Sequence, residues 1–304
     1  MEHERKFLLE EIPEGLGGFT CSGIEQFYLV VAGDREVRAR RKDGRFSLTF
    51  KQGRSRSRKE VEISLSAGEY RQLACCSAGA VIHKNRFDYP LGELTAEIDV
   101  YQGELEGLAV VEVEFPCVAA MEAFEPPGWF GEEVSAQADF SNRALALEGL
   151  PDRLDRGWKK GRRPAWHFRQ SGALPFRRAE GQYEVLLVTT RRSGSWTLPR
   201  GIVEPGLSPE ASAVKEAWEE AGVKGELAQG LQQDLALNRW KRTCAFTLYL
   251  LAVNEEFRHW PEEQVRRRKW IPQGGIGGFI KNRELSGAAA GLLDQLATMP
   301  EEIT

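Results

Sequence analysis

Long apolar runs are missing from this 304-residue chain. The longest, Val185–Val188 and Phe246–Val253, are strand-sized. A membrane-spanning helix needs about 20 such residues, so no membrane partner is expected. The charged start, Met1-Glu2-His3-Glu4-Arg5-Lys6, has no apolar segment behind it, which argues against a signal peptide and for a cytoplasmic protein. Cysteines are few: Cys21, Cys75, Cys76, Cys117 and Cys244, an odd number with no CxxC pair. A disulfide scaffold or structural zinc is not expected; reduced thiols are. No internal repeat is visible, and no aromatic-plus-basic motif favours RNA, so nucleic acid is not an expected partner.

Net charge is also small, 41 Lys and Arg against 45 Asp and Glu. The small total hides two unlike halves. Residues 1–150 carry 17 cations against 26 anions, and residues 151–304 carry 24 against 19. Charged residues make up 28% and hydrophobic ones 41%, which is globular composition and excludes disorder or a fibre. At roughly 100–200 residues per domain, the length and the charge split point to two domains. The clearest break is Pro151–Gln170, with seven Lys/Arg against two Asp and no sustained apolar periodicity. Residues 151–167 are read as a basic linker between domains at 1–150 and 168–304. It could be a plain solvated connector or could hold polyanions.

The first half is mostly strand-like, in segments at Glu2–Leu8, Ile24–Val31, Glu36–Arg41, Ser47–Lys51, Lys59–Ser64, Val81–Asp88, Leu94–Val100 and Ala109–Phe115. Alternate residues of a strand share a face. Glu2, Glu4 and Lys6 therefore lie together, as do Arg38 with Arg40, and Arg58 with Glu60 and Glu62. Lys84 joins Arg86, Glu97 joins Asp99, Glu112 joins Glu114, and Lys51 adds a cation. The opposite faces are apolar, as at Val61 and Ile63 or Val111 and Val113. An ordinary sheet with one wet face fits this pattern. So does a barrel closed with its charged face inward, whose carboxylates would suit Mg²⁺ or Mn²⁺ and whose cations would suit a linear polyphosphate.

The E-x-E-x-K start, VRAR, LTFK, RKEVE, HKNR, EIDVYQGELEGLAVVEVEF and WFGEEVSAQADFSNRALA resemble, in order, the CYTH family of triphosphate tunnel metalloenzymes. The resemblance covers residues 1 to about 148. It implies an eight-stranded antiparallel β-barrel tunnel that hydrolyses inorganic triphosphate or short polyphosphate. It also implies metal ligation by Glu2, Glu4, Glu112 and Glu114, with Glu60, Glu62, Glu97 and Asp99 as further tunnel carboxylates, some for a second metal. Lys6, Arg38, Arg40, Lys51, Arg58, Lys84 and Arg86 become the phosphate-binding set, with Glu2, Glu4 and Lys6 at the catalytic centre. Where relatives often read Asp-x-Arg-Tyr, this chain has Gln137-Ala138-Asp139-Phe140, so the resemblance does not fix substrate length.

In the second half, Ser208 and Pro209 form a helix start and Gly222 a stop. Between them Glu216, Glu219 and Glu220 lie at i, i+3 and i+4 on one face. A solvated acidic face has this spacing too. The surroundings, Gly201 through Val223, resemble the Nudix box. Gly201, Glu216, Glu219, Glu220, Gly222 and Val223 match; Leu207 replaces a usual Glu, and Lys215 a usual Arg. With SGALPFR, WTLPRG, EEAGVKG and VRRRKWIP around it, the segment resembles diphosphoinositol polyphosphate phosphohydrolases. The resemblance implies an α/β/α Nudix fold in which the three glutamates hold metals and serve catalysis, while Gly201 lets substrate approach. It would act on inositol pyrophosphates or dinucleoside polyphosphates. Candidate substrate cations are Arg177, Arg191, Arg192, Arg200, Lys241 and Arg242, each equally a surface ion-pair partner. The whole reads as an α+β, two-domain, metal-dependent phosphoanhydride hydrolase acting on small-molecule polyphosphates. The alternative is that one domain binds polyphosphate or inositol phosphate and regulates the other.

Overall fold

The computed structural model describes residues 3–53, 59–191 and 193–298. The chain forms two compact units that divide at Pro164 and Ala165.

The first unit contains β1 (His3–Leu9), β2 (Cys21–Ala32), β3 (Arg35–Lys42), β4 (Arg45–Gln52) and β5 (Lys59–Leu65). Helix α1 (Ala67–Ala74) precedes β6 (Ile82–Leu91), β7 (Leu94–Tyr101) and β8 (Ala109–Phe115). Then come α2 (Val118–Ala123), β9 (Phe130–Glu133), α3 (Asn142–Glu148) and α4 (Asp152–Lys159). All strands join one sheet in the order β5-β4-β3-β2-β6-β7-β8-β1-β9. The eight expected strands are present, and the short β9 is additional. Side chains from each of β1 to β8 line a single cavity of about 710 Å³, so the sheet curls around its charged face.

The outer face drives the curl. Phe7, Ile98, Val111 and Val113 are fully buried there, and the rings of Phe124 and Phe130 pack on Phe7. Because side chains alternate, a one-residue slip would exchange this face for the charges, so burial pins the register. On the other flank α1, started by a capping box between Ser66 and Glu69, lays Tyr70 on Phe27 and Ala39. That cover does not extend over β5, where the apolar Val61 and Ile63 are 57% and 53% exposed.

The stretch expected as a linker holds helix α4. Its Trp158 is buried in a cluster with Phe140, Leu145 and Ala146.

The second unit contains β10 (Arg169–Ala179), β11 (Gln182–Thr189), β12 (Trp196–Thr197), β13 (Arg200–Ile202) and α5 (Pro209–Ala221). The long hairpin β14 (Val223–Arg239) and β15 (Arg242–Glu256) follows, then β16 (Arg268–Pro272), α6 (Ile276–Phe279) and α7 (Arg283–Ala297). The sheet order is β12-β11-β10-β15-β14, with β13 on β10 and β16 on β11. Among the described residues, only the central β10–β15 pairing is parallel. Helix α5 buries Ala213, Ala217 and Ala221 on one face, against Leu186, Val188 and Leu251. Helix α7 buries Leu285, Leu292 and Leu296 on the other, against Leu174, Phe246 and Leu248. This is the expected helix–sheet–helix sandwich. No described helix is long and apolar enough to cross a membrane.

Trp158→Ala should destabilise the first unit by about 3–5 kcal/mol, the usual cost of truncating a buried Trp. Urea unfolding checks this; an unchanged midpoint would mean that α4 contributes nothing to the core.

Candidate functional sites

The curled sheet gathers the charges that were spaced by twos. Glu4, Lys6, Arg38, Arg40, Lys51, Glu60, Lys84, Arg86, Glu97, Glu112 and Glu114 all line the 710 Å³ cavity. Glu62 lines a neighbouring cavity that shares Arg40. Glu2 and Arg58 lie outside the described residues.

One side of the cavity is an ion network. Arg86 donates to Asp99 and Glu112 at 2.6 and 2.8 Å and also binds Glu97. Lys84 is bound to Asp99, and Lys6 lies 2.6 Å from Glu112. Burial opposes ionisation of Asp99, but Lys84 and Arg86 outweigh it and hold the carboxyl down to about 2. Burial also lowers Lys84, with Asp99 opposing. Asp99 is fully buried among these partners and anchors Arg86. Glu97 is pushed up by burial, against the pull of Arg86.

The facing side has cations in excess. Burial, then the neighbouring Arg38, pulls Arg40 below its ordinary value. Arg38 Nε and Gln26 Nε2 are buried donors without a hydrogen-bond partner among the described residues. Such donors fit the oxygens of an anion in the cavity. Glu4 and Glu114 stand directly opposite each other across β1 and β8, both on the cavity wall. Opposed like charges repel, and two hard oxygen donors suit a divalent cation between them. Among the described residues, no three His, Cys, Asp or Glu side chains are gathered closely enough to hold a metal.

Sequence reasoning missed Gln26, Tyr28 and Arg143 in the lining. Arg143 comes from the first turn of α3, four residues after Asp139, and restores a cation near the position where Asp139 removes one. It escaped because it sits on a helix after a turn, outside the strand alternation.

In the second unit α5 starts as expected, with the Ser208 side chain accepting from Ala211 N and Gly222 in the left-handed conformation. The helix brings Glu216 and Glu220, both buried, against β13. A Cβ on Gly201 would lie 1.9 Å from Glu216 Oε1, so only glycine leaves space for that carboxylate. Glu220 accepts from Arg200 N at 3.2 Å and is bound by Arg266. Glu219 turns aside to Lys215 at 2.8 Å. Lys215 also reaches Glu204 at 2.9 Å. Burial lowers Lys215, but Glu204 and Glu219 together raise it well above its usual value. Glu204, three residues before Leu207, thus supplies the carboxylate that the box lacks at Leu207; the spacing template hid it.

The candidate cations separate. Arg177 is bound to Glu184 at 2.7 Å and stacked on Trp270. Arg191 is bound to Glu262. Arg200 and Arg242 lie over Phe246 and Phe168, and Lys241 sits in the β14–β15 turn. Arg192 lies outside the described residues.

Known proteins sort the two halves. The chain is 38% identical to "Inorganic triphosphatase" of Nitrosomonas europaea over 149 residues, which are 48% of this chain and 97% of that protein. Residues 167–289 match the NUDIX domain family. Through its first half the chain belongs to the inorganic triphosphatases. A crystal structure of an inorganic triphosphatase matches at 33% identity, covering 50% of this chain and 97% of that one, with a TM-score of 0.43. "Diphosphoinositol polyphosphate phosphohydrolase 2" of Mus musculus is 38% identical over 108 residues, 34% of this chain. The chain spans 58% of that protein's length. Both halves are thus of the phosphoanhydride hydrolase class that their motifs implied.

Gly201→Ala should leave the second unit folded but cut its hydrolytic rate at least tenfold, because Glu216 must move; circular dichroism and phosphate release check this. Asp99 has a folded pKa below its unfolded one, so its stabilisation is complete above about pH 4 and is lost as pH falls towards 2. The first unit should lose on the order of 2 kcal/mol from this group alone over that window. Flat stability from pH 5 to 2 would contradict it.

Proposed function

We propose that the first unit hydrolyses inorganic triphosphate or short polyphosphate, and that the second hydrolyses a diphosphate-bearing anion. For the second, the candidates are an inositol pyrophosphate and a dinucleoside polyphosphate. Each site works with a divalent cation, Mg²⁺ or Mn²⁺. The observation that carries the reading is a single cavity lined by both carboxylates and cations, with Arg38 Nε and Gln26 Nε2 as buried donors that have no hydrogen-bond partner among the described residues.

In the first unit Arg38, Arg40, Lys51 and Arg143 bind phosphate oxygens and hold the chain in line. Lys6 and Arg86 are aimed by Glu112, Glu97 and Asp99, so they meet developing negative charge without rearranging. Glu4 and Glu114, with Glu112 and Glu2, hold the metal. In the second unit Glu216, Glu219 and Glu220 hold it. The bound metal supplies charge neutralisation on the transferring phosphoryl group and a more acidic water. Lys215, tied to Glu204, fixes the outer position of Glu219. That pairing supports a working Nudix site rather than a binding-only module, because the substitution at Leu207 is answered within the same loop.

The full chain should release phosphate from tripolyphosphate, and from a diphosphate-bearing substrate, only with Mg²⁺ or Mn²⁺. Glu114→Gln should lower the first activity at least 100-fold and spare the second; Glu220→Gln should do the reverse. Loss of both activities in either folded variant would contradict independent sites. Tight binding without turnover in calorimetry would replace this reading by the regulatory one.

A further inference from the structure

Among the described residues, the sheet of the first unit ends at β5 on one side and at β9 on the other. A free edge offers unpaired backbone N–H and C=O groups to other chains, and proteins blunt such edges with short strands, bulges, prolines or charge. β9 is blunted. It has four residues, among them Glu132 and Glu133, and the β1–β9 register shifts between Phe7 and Leu9. β5 is not blunted in this way. It runs from Lys59 to Leu65 without a proline and pairs with β4 along its whole length without a register shift.

The outer face beside this edge is bare. Phe50 lies directly opposite Val61, and Leu48 opposite Ile63. Phe50, Val61 and Ile63 are all exposed. Helix α1 starts just after β5 but turns back over the sheet, setting Tyr70 on Phe27 of β2 and Phe46 of β4. It therefore leaves the β5 edge open. Exposed apolar side chains on an open edge suit a partner strand. The inward charges of β5 do not forbid one, because its own sheet already answers them. Glu60 is paired with Lys51 at 3.1 Å, and Glu62 accepts from Thr49 Oγ1 at 2.9 Å.

The residue order of β5, KEVEISL, is self-complementary in one register. Opposed residues of an antiparallel pair share a face, so a two-fold that keeps the apolar faces together is centred on a residue. Centring on Val61 sets Glu60 against Glu62 of the second copy, and centring on Glu62 sets that carboxylate against itself. Opposed like charges are unfavourable. Centring on Ile63 sets Val61 against Leu65, Ile63 against Ile63 and Glu62 against Ser64, across residues 61–65. The outer face of the pair is then wholly apolar, and the carboxylate meets a hydroxyl. Centring on Ser64 leaves only residues 63–65 paired within the strand.

We propose that the chain forms a two-fold dimer in which β5 pairs antiparallel with β5 of a second copy, Ile63 opposite Ile63. Leu65 of each copy lies opposite Val61 of the other, and α1 begins two residues after Leu65. Each α1 is thereby brought beside the other copy's exposed Val61 and Phe50. The contact is isologous and closes on itself, so the open edge is consumed rather than extended into a fibre.

Sedimentation of the full chain at micromolar concentration should give two copies. Ile63→Lys should give one copy with unchanged far-ultraviolet circular dichroism. Cross-linking tests the register. Oxidised with copper phenanthroline, Ile63→Cys should form a disulfide between residue 63 of the two copies, distinguished by mass spectrometry from links through the native cysteines. Val61→Cys should not link to itself, because in this register the two copies of residue 61 lie about 13 Å apart along the strands, beyond the roughly 7 Å that a disulfide spans. A chain that sediments as one copy would leave the edge to another molecule and overturn the proposal. A dimer that persists in Ile63→Lys, or self-linking as ready in Val61→Cys as in Ile63→Cys, would overturn it too.

Discussion

The first unit depends on neutralising charge that its own register turns inward. Packing of Phe7, Ile98, Val111 and Val113 on the outside forces Lys6, Arg86, Glu97, Asp99 and Glu112 to the concave face. A buried charge is tolerated only when paired, and removing one member of such a set typically costs about 3–5 kcal/mol. Asp99 meets this demand at the centre, binding both Lys84 and Arg86. The network then fixes Arg86 and Lys6 in place before any substrate enters. Across the cavity Arg38 lies beside Arg40, which pairs with Glu62 at 3.7 Å, and Glu4 faces Glu114.

The second unit meets the same problem on a helix. Three glutamates within two turns of α5 repel one another, and each is given a different answer. Glu216 fits against a glycine, Glu220 takes Arg266 and a backbone N–H, and Glu219 takes Lys215. Lys215 carries two carboxylates, Glu204 and Glu219, with one ammonium. A Lys suffices because the two acceptors come from different directions, which a compact cation with rotatable donors can reach.

Much of this was legible in the sequence because the relevant periods are short. A period of two marked the cavity-facing charges, and the i, i+3, i+4 spacing with Ser208, Pro209 and Gly222 marked the glutamate-bearing helix to the residue. What stayed hidden depends on contacts between segments far apart in the chain or on irregular backbone. Arg143 reaches the cavity from a helix start, and Glu204 answers Lys215 from a loop. Asp99, on the inward face by alternation, looked like its neighbours; its complete burial sets it apart. The strand β9 was missed because four residues carry too little pattern, and α4 because its charges outnumber its one buried Trp.

The Glu4–Glu114 wall is expected to take the metal, and Arg38 and Arg40 the phosphate oxygens. Anomalous diffraction from crystals of the full chain, grown with Mn²⁺ and a non-hydrolysable triphosphate analogue, tests this most directly. A manganese peak between Glu4 and Glu114, with analogue oxygens on Arg38 and Arg40 and the Lys84–Asp99–Arg86 network unmoved, is the predicted result. Manganese bound at Asp99, or analogue density outside the cavity, would contradict it.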